Sequence, residues 1–364
     1  MAKRKEQTEE EKQTSQILKT ITDLRVTYGK SLPSIEEAGT IHRVILNSPK
    51  ANYIFGGGYP LNRSIELYGS ESSGKSIFSS YIGGQIQKRT DKEGQRIVLY
   101  VDSEHTFDRK YAENVGLDTN DDKFILIHPL NGEEAFTIME DLTKTGEIGL
   151  IIFDSTSTIA TKAAMEDDAG KASFGGAAKM FGDGMKKLNP YMFRFDTPMI
   201  MLTQMRARIG AFGHQSKDAP SGCGYAPRFY ASWRARLSKG EDILNGKEVI
   251  GNKITIKNTK SKIGYPKRSA SLDLYYASGF NSDFEYIEFM IQLGLIEKKG
   301  GWYYSDEYGL KVQGVDKILP LLYEQPEKFE EAKKQVNGLF STYNVLDEGE
   351  TAEEEDDEEI PEED

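Results

Sequence analysis

Residues Gly69-Ser70-Glu71-Ser72-Ser73-Gly74-Lys75-Ser76 carry glycine, lysine and hydroxyl at the spacing G-x-x-x-x-G-K-[ST]. Residues of these types in this order hold phosphate. The glycines let backbone N–H groups curl around phosphate oxygens, and a helix starting at the lysine adds the positive end of its dipole. Lys75 reaches the β- and γ-phosphates, and the Ser76 hydroxyl ligates Mg²⁺. All eight residues therefore form a candidate nucleotide-binding set. An apolar strand, Ile65-Glu-Leu-Tyr68, precedes the run and a helix-like stretch follows it, which is the setting the motif requires. An ordinary glycine-rich turn between strand and helix is the plainer alternative.

Three further strand ends offer complementary groups. Leu150-Ile-Ile-Phe-Asp154-Ser155 is an apolar strand closing on a carboxylate, the arrangement in which Asp154 holds Mg²⁺ through water. Tyr100-Val-Asp102-Ser-Glu104-His105 supplies two carboxylates and an imidazole. Hydrolysis needs a group that orients or deprotonates the attacking water. Asp102 and Glu104 both qualify, and either can instead cap the turn that follows. Thr203-Gln204-Met-Arg206 places an amide where it can tell ATP from ADP, or merely bond to solvent.

The elements that must position these groups follow from hydrophobic patterning. Residues 48–271 alternate strands with helices, with strands expected at Ser64–Tyr68, Arg96–Val101, Phe124–His128, Gly149–Phe153, Met199–Thr203, Trp233–Leu237 and Lys253–Asn258. Several are near-continuous apolar runs, as in strands buried on both faces. The fold class is α/β with a mostly parallel, doubly wound sheet, and phosphate chemistry in such sheets sits at the carboxyl ends of strands. Residues 1–47 form an arm holding one amphipathic helix over Thr14–Tyr28, with Ile17, Leu18, Ile21, Leu24 and Val26 on its stripe and Gly29 at its end. Such an arm cannot bury its own face, so it must pack on the body or on another copy of the chain. Residues 272–343 read as a small α+β domain with helices at Phe284–Leu293 and Val315–Tyr323 around an aromatic stretch, Lys299–Tyr304.

Composition limits the remaining classes. With 38% hydrophobic and 10% aromatic residues the body is globular. No run of about 18 apolar residues exists, which excludes a membrane-spanning helix and a membrane partner. The start of the chain is charged and lacks the apolar core of a secretory signal. Cys223 is the only cysteine. These features point to the cytoplasm. The formal net charge of -12 argues at first against a nucleic-acid partner, but 13 acidic residues and no basic ones fall between Asp347 and Asp364, and without them the charge is +1. Residues 344–364 are expected to be a disordered acidic tail, either simply solvated or a polyphosphate mimic that competes with DNA for basic surface and weakens with salt.

In this order and at these intervals, the four segments resemble the RecA recombinases of bacteria and phages. Gly69–Ser76 is close to that family's Walker A. Val101-Asp-Ser-Glu-His105 with Asp108 and Tyr111 resembles its strand-end glutamate segment, and Phe153-Asp-Ser-Thr156 its Walker B. Phe229-Tyr-Ala-Ser-Trp-Arg234 and Lys260-Ser-Lys262-Ile263 resemble later landmarks. The likeness runs from about Ile17 to Phe340. It implies a RecA-like P-loop ATPase core using ATP and Mg²⁺. In that core Glu104 activates the water, Tyr111 stacks on adenine, Asp108 bonds the adenine amino group and Gln204 reads the γ-phosphate. Lys260 and Lys262 would reach ATP on a neighbouring subunit, as an arginine finger does; otherwise they are solvated cations.

The resemblance also assigns two long segments, near 165–176 and 206–224, as DNA-binding loops. Arg206, Arg208, Lys217 and Arg228 can pair with phosphates, Ile209 and Phe212 can wedge or stack against bases, and glycines such as Gly175 and Gly176 expose main-chain amides. Both loops depart from the bacterial pattern: Glu166, Asp167 and Asp168 lie in the first, Pro220 and Cys223 in a slightly longer second. Asn189-Pro-Tyr-Met-Phe193 is more similar to phage recombinases. The implied function is DNA-stimulated ATP hydrolysis driving homologous pairing and strand exchange by a helical homo-oligomeric filament on single-stranded DNA. Residues 272–343 would capture duplex DNA, and single-strand-binding and loader proteins are further partners. Two alternatives share the core: a hexameric DNA translocase or helicase, and an accessory recombinase paralogue that does not exchange strands.

Overall fold

The computed structural model describes residues 17–27, 29–33, 41–89, 97–166, 176–206, 219–220, 223–264 and 266–341. Among these the strands are β1 Arg43–Val44, β2 Tyr59–Pro60, β3 Ser64–Gly69, β4 Ile97–Asp102, β5 Phe124–Ile127, β6 Ile148–Asp154, β7 Met199–Arg206, β8 Ala219–Pro220, β9 Trp233–Asn245, β10 Glu248–Ser261, β11 Ser269–Tyr275, β12 Gly279–Phe280, β13 Glu297–Lys299, β14 Trp302–Ser305 and β15 Leu310–Gln313. The helices are α1 (17–27), α2 Pro49–Phe55, α3 Lys75–Gln87, α4 Arg109–Asn114, α5 Gly132–Lys144, α6 Lys162–Glu166, α7 Gly176–Phe195, α8 Ala226–Tyr230, α9 Asp283–Gln292, α10 Ile318–Tyr323 and α11 Pro326–Ser341. No helix of the described residues is long and apolar enough to cross a membrane.

The chain divides into two compact units. The first holds residues 1–44, 60–239 and 257–267. Its strands run in the order β9-β3-β7-β6-β4-β5, and every neighbouring pair is parallel. Every residue of β6 is buried, as an apolar strand covered on both faces must be. Register decides what meets at the carboxyl edge: Gly69 of β3 lies opposite Gln204 of β7, and Asp102 of β4 opposite Asp154 of β6. Helices α5 and α7 pack closely, because a Cβ at Gly184 would lie 2.3 Å from the Phe136 ring. Phe136 meets Phe181 edge to face, with centroids 5.3 Å apart, over a core that includes Phe153, Met185, Met199 and Met201. Helix α1 leaves Leu18 59% and Val26 84% exposed, so the described residues do not cover most of its apolar stripe.

The second unit holds residues 45–59, 240–256 and 268–364. Its core gathers Tyr286, Ile287, Phe289 and Met290 of α9 with Leu322 of α10 and Phe329, Ala332, Val336 and Phe340 of α11. Strands β13, β14 and β15 form an antiparallel sheet. Ser48 caps α2 by accepting from the Ala51 amide, and the Ser48 hydroxyl in turn donates to buried Glu285 at 2.6 Å.

The expected strands appear, but β9 and β10 are far longer than Trp233–Leu237 and Lys253–Asn258. The outer half of β9 is mostly exposed and so carries little apolar signal, whereas β10 begins five residues earlier at Glu248 with a partly buried stretch that includes Val249 and Ile250. The Val315–Tyr323 helix splits into a 3₁₀ turn, Val315–Lys317, followed by α10.

Candidate nucleotide site

The site begins at the carboxyl end of β3. Gly69 must be glycine because a Cβ there would stand 2.2 Å from the Leu237 carbonyl oxygen of β9. The chain then turns through Ser72 and Gly74, at φ of 57° and 90°, and enters α3 at Lys75. The Lys75 ammonium lies over this loop, donating to the Ser70 carbonyl at 2.7 Å, the Gly69 carbonyl at 3.2 Å and Ser73 Oγ at 3.3 Å. Burial pushes the ammonium below its usual range, against the pull of Asp154, Glu104 and Glu71.

Asp154 closes β6. Its Oδ2 accepts from Ser76 Oγ and from the Tyr100 hydroxyl, each at 2.6 Å. Burial raises this carboxyl above the ordinary carboxylate range, the two hydroxyls oppose the rise, and Glu104 and Asp102 add to it. The peptide from Asp154 to Ser155 is cis. The residues fit Mg²⁺ bound to phosphate: a hydroxyl and a carboxylate, both hard oxygen donors, meet beside the lysine of a glycine-bounded loop.

The two carboxylates after β4 separate by environment. Asp102 is 1% exposed and accepts from the backbone amides of Glu104, Thr106 and Phe107 at 3.0–3.3 Å. It holds the turn. Glu104 is only partly buried, and its Oε1 accepts from Gln204 Nε2 at 2.7 Å and from the Ser155 hydroxyl. Ser157 Oγ accepts from the Gln204 backbone N–H at 2.8 Å. One carboxylate is thus occupied in structure, and the other faces the groups that ring the phosphate loop.

The remaining predicted residues lie as follows. Asp108 caps α4, its Oδ1 accepting from the Tyr111 amide at 2.9 Å. Lys260 stands one residue before the end of β10, close to Lys262, and its ammonium donates to the Arg228 carbonyl at 2.7 Å. Burial lowers the Lys260 pKa, and the charges of Lys262, Arg234 and Arg228 lower it further. Gly176 starts α7, and Arg228 is exposed on α8. Arg206 ends β7. Arg208, Ile209, Phe212, Lys217 and Gly175 lie outside the described residues, as do Asp167, Asp168 and the tail 344–364. Sequence reasoning missed Tyr100, Ser155 and Ser157. Tyr100 carried a usable signal, since a tyrosine inside a buried strand must direct its hydroxyl to a partner.

Known proteins bear on this geometry. The family model described as the RecA N-terminal domain matches residues 34–281. A Protein RecA of Mycoplasma mycoides subsp. mycoides is 36% identical over 287 residues, covering 78% of this chain and 79% of that protein. A Protein RecA of Campylobacter jejuni is 32% identical over 299 residues, covering 81% and 84%. A Protein RecA of Acholeplasma laidlawii is 33% identical over 284 residues, covering 78% and 83%. With that family model matched across most of the chain, and the phosphate loop, the Asp154 strand and Glu104 gathered at one sheet edge, the chain belongs to the RecA family.

Proposed function

We propose that this protein is a DNA-dependent ATPase that binds ATP with Mg²⁺, assembles as a helical filament on single-stranded DNA, and catalyses homologous pairing and strand exchange in recombination and repair. The observation that carries this reading is the Gln204–Glu104 hydrogen bond. Gln204 sits on β7, two residues before the segment 206–224, so a group touching the water-activating carboxylate lies at the root of a DNA-binding loop. Residues 69–76 hold the phosphates, Ser76 and Asp154 the ion, Asp108 and Tyr111 the adenine, and Glu104 directs the water. Bound Mg²⁺ supplies charge neutralisation on the phosphates. Lys260 and Lys262 act on the neighbouring subunit's nucleotide, a role suited to two cations that stand close together beside Arg234 and Arg228.

Residues 1–47 form the assembly arm, 48–271 the ATPase core, 272–343 the duplex-capturing domain and 344–364 a tail that competes with DNA. The exposed apolar stripe of α1 supports docking on the next copy, a head-to-tail contact that does not close. Single-strand-binding and loader proteins are its expected partners, in the cytoplasm. Electron microscopy with single-stranded DNA and a slowly hydrolysed ATP analogue tests the assembly. Helical filaments are expected; closed hexameric rings would favour the translocase.

A further inference from the structure

We propose that His105 and His128 form a two-imidazole site for a late first-row divalent transition metal ion, of the Zn²⁺ class, beside the nucleotide site. The chain has four histidines, and the topology brings these two together. β4 and β5 are parallel neighbours with Val101 opposite Ile127, so the segments leaving their carboxyl ends run side by side. The two Nδ1 atoms stand 3.2 Å apart, and the rings are 5.0 Å apart between centroids with planes 30° from parallel. Two imidazole nitrogens that each bind one Zn²⁺ at about 2.0–2.1 Å, at a tetrahedral angle, stand about 3.3–3.4 Å apart, within about 0.2 Å of the spacing here. The spacing therefore already matches a chelate. The two nitrogens stand within hydrogen-bond distance of each other, so an ion set between them needs little movement of either ring.

Three features favour a cation there. Asp102 brings its carboxylate Oδ2 to 3.7 Å and its carbonyl oxygen to 3.3 Å from His128 Nδ1. The three backbone amides hold that carboxylate in place, so its charge is fixed. Both imidazoles are exposed, which leaves room for water to complete the coordination. His105 also sits at φ 57°, in the left-handed region that few non-glycine residues occupy. Among the described residues no set of three His, Cys, Asp or Glu side chains converges on a metal, so the protein contributes two imidazoles and the solvent the rest. Imidazole discriminates against Mg²⁺, which takes oxygen ligands, so this site and the nucleotide's ion do not compete. Because Glu104 immediately precedes His105, an ion clipping His105 to His128 restrains the carboxylate segment and slows hydrolysis; this consequence rests on the proposed function, and the binding itself does not.

The test compares the full chain with His128→Gln, a change outside the phosphate machinery. Zn²⁺ titration by calorimetry in excess Mg²⁺, and visible absorption with Co²⁺ as a spectroscopic probe, read binding directly. The acidic tail is common to both proteins, so its cation binding cancels in the difference. The wild type should bind one ion that the variant binds about tenfold or more weakly, with a nitrogen-ligand Co²⁺ band that the variant lacks. Zn²⁺ should inhibit ATP hydrolysis by the wild type and spare the variant. Equal Zn²⁺ affinity in both proteins, or no Co²⁺ band in the wild type, would overturn the site. A protein that binds the ion but hydrolyses no ATP would sink the ATPase reading and leave the metal site standing.

Discussion

Replacing Gln204 with Met keeps the length of the side chain and deletes the amide that donates to Glu104 Oε1 at 2.7 Å. Glu104 retains the Ser155 hydroxyl but loses one of two donors that hold it in position. A hydrogen bond to a charged group contributes about 1.5–3 kcal/mol. If that energy positions the carboxylate for the attacking water, hydrolysis should fall about 10- to 150-fold, at about 1.4 kcal/mol per decade. The assay is steady-state phosphate release at saturating single-stranded DNA. A fluorescent-nucleotide titration serves as the control, and affinity should stay near wild type because residues 69–76 are untouched. A double-mutant cycle sharpens the test: in a Glu104→Gln background the second substitution should cost much less than it does alone, since the two groups share one contact. Hydrolysis within twofold of wild type for Gln204→Met, or additive losses in the cycle, would refute the coupling.

Other outcomes follow from the packing. Glu66 and Arg234 form a buried ion pair between β3 and β9, with Arg234 4.5 Å over the Tyr68 ring; Glu66→Gln should lower stability by about 3–5 kcal/mol in urea unfolding, and a loss below 1 kcal/mol would contradict this. Burial raises the Glu285 carboxyl from 4.5 to about 7. The folded state then holds its proton more tightly than the unfolded chain, so its stability contribution is fully present below pH 4.5 and is lost as pH rises through 7, by about 3 kcal/mol at most. Glu285→Gln should flatten that slope, read as urea midpoints at pH 5 and 8, and an unchanged slope would remove Glu285 as its source. At Gly84 a Cβ would lie 2.2 Å from the Gly116 carbonyl oxygen. Gly84→Ala should therefore displace α3, cost about 1–3 kcal/mol and weaken nucleotide binding through Lys75; unchanged affinity and melting temperature would show that the helix absorbs the methyl.

The phosphate loop was legible because its chemistry admits few substitutes: a glycine at the strand end, a lysine and a hydroxyl at fixed offsets. Asp154 was legible once that loop was found, since a buried apolar strand has little other reason to end beside it in a carboxylate. Residue chemistry alone left Asp102 and Glu104 open and the resemblance assigned Glu104; the backbone amides that converge on Asp102 are what the sequence does not display. The convergence of Gln204 with Glu104 depends on the register of β7 against β3 and β6, which no local pattern encodes. The outer half of β9 escaped notice because a strand exposed at its tip loses the apolar run that marks a strand. The His105–His128 pair was invisible for the same reason as the Gln204 contact: 23 residues separate the two rings, and only parallel pairing of β4 with β5 closes the gap.

The most direct test of the account measures ATP hydrolysis with and without single-stranded DNA, alongside a fluorescent strand-exchange assay, for the wild type and Lys75→Ala. DNA should stimulate hydrolysis, strands should exchange, and Lys75→Ala, which removes the ammonium from the phosphate loop, should lose both. DNA-stimulated hydrolysis without exchange, under ATP and under a slowly hydrolysed analogue alike, would contradict the recombinase reading and move the protein to the translocase or accessory class.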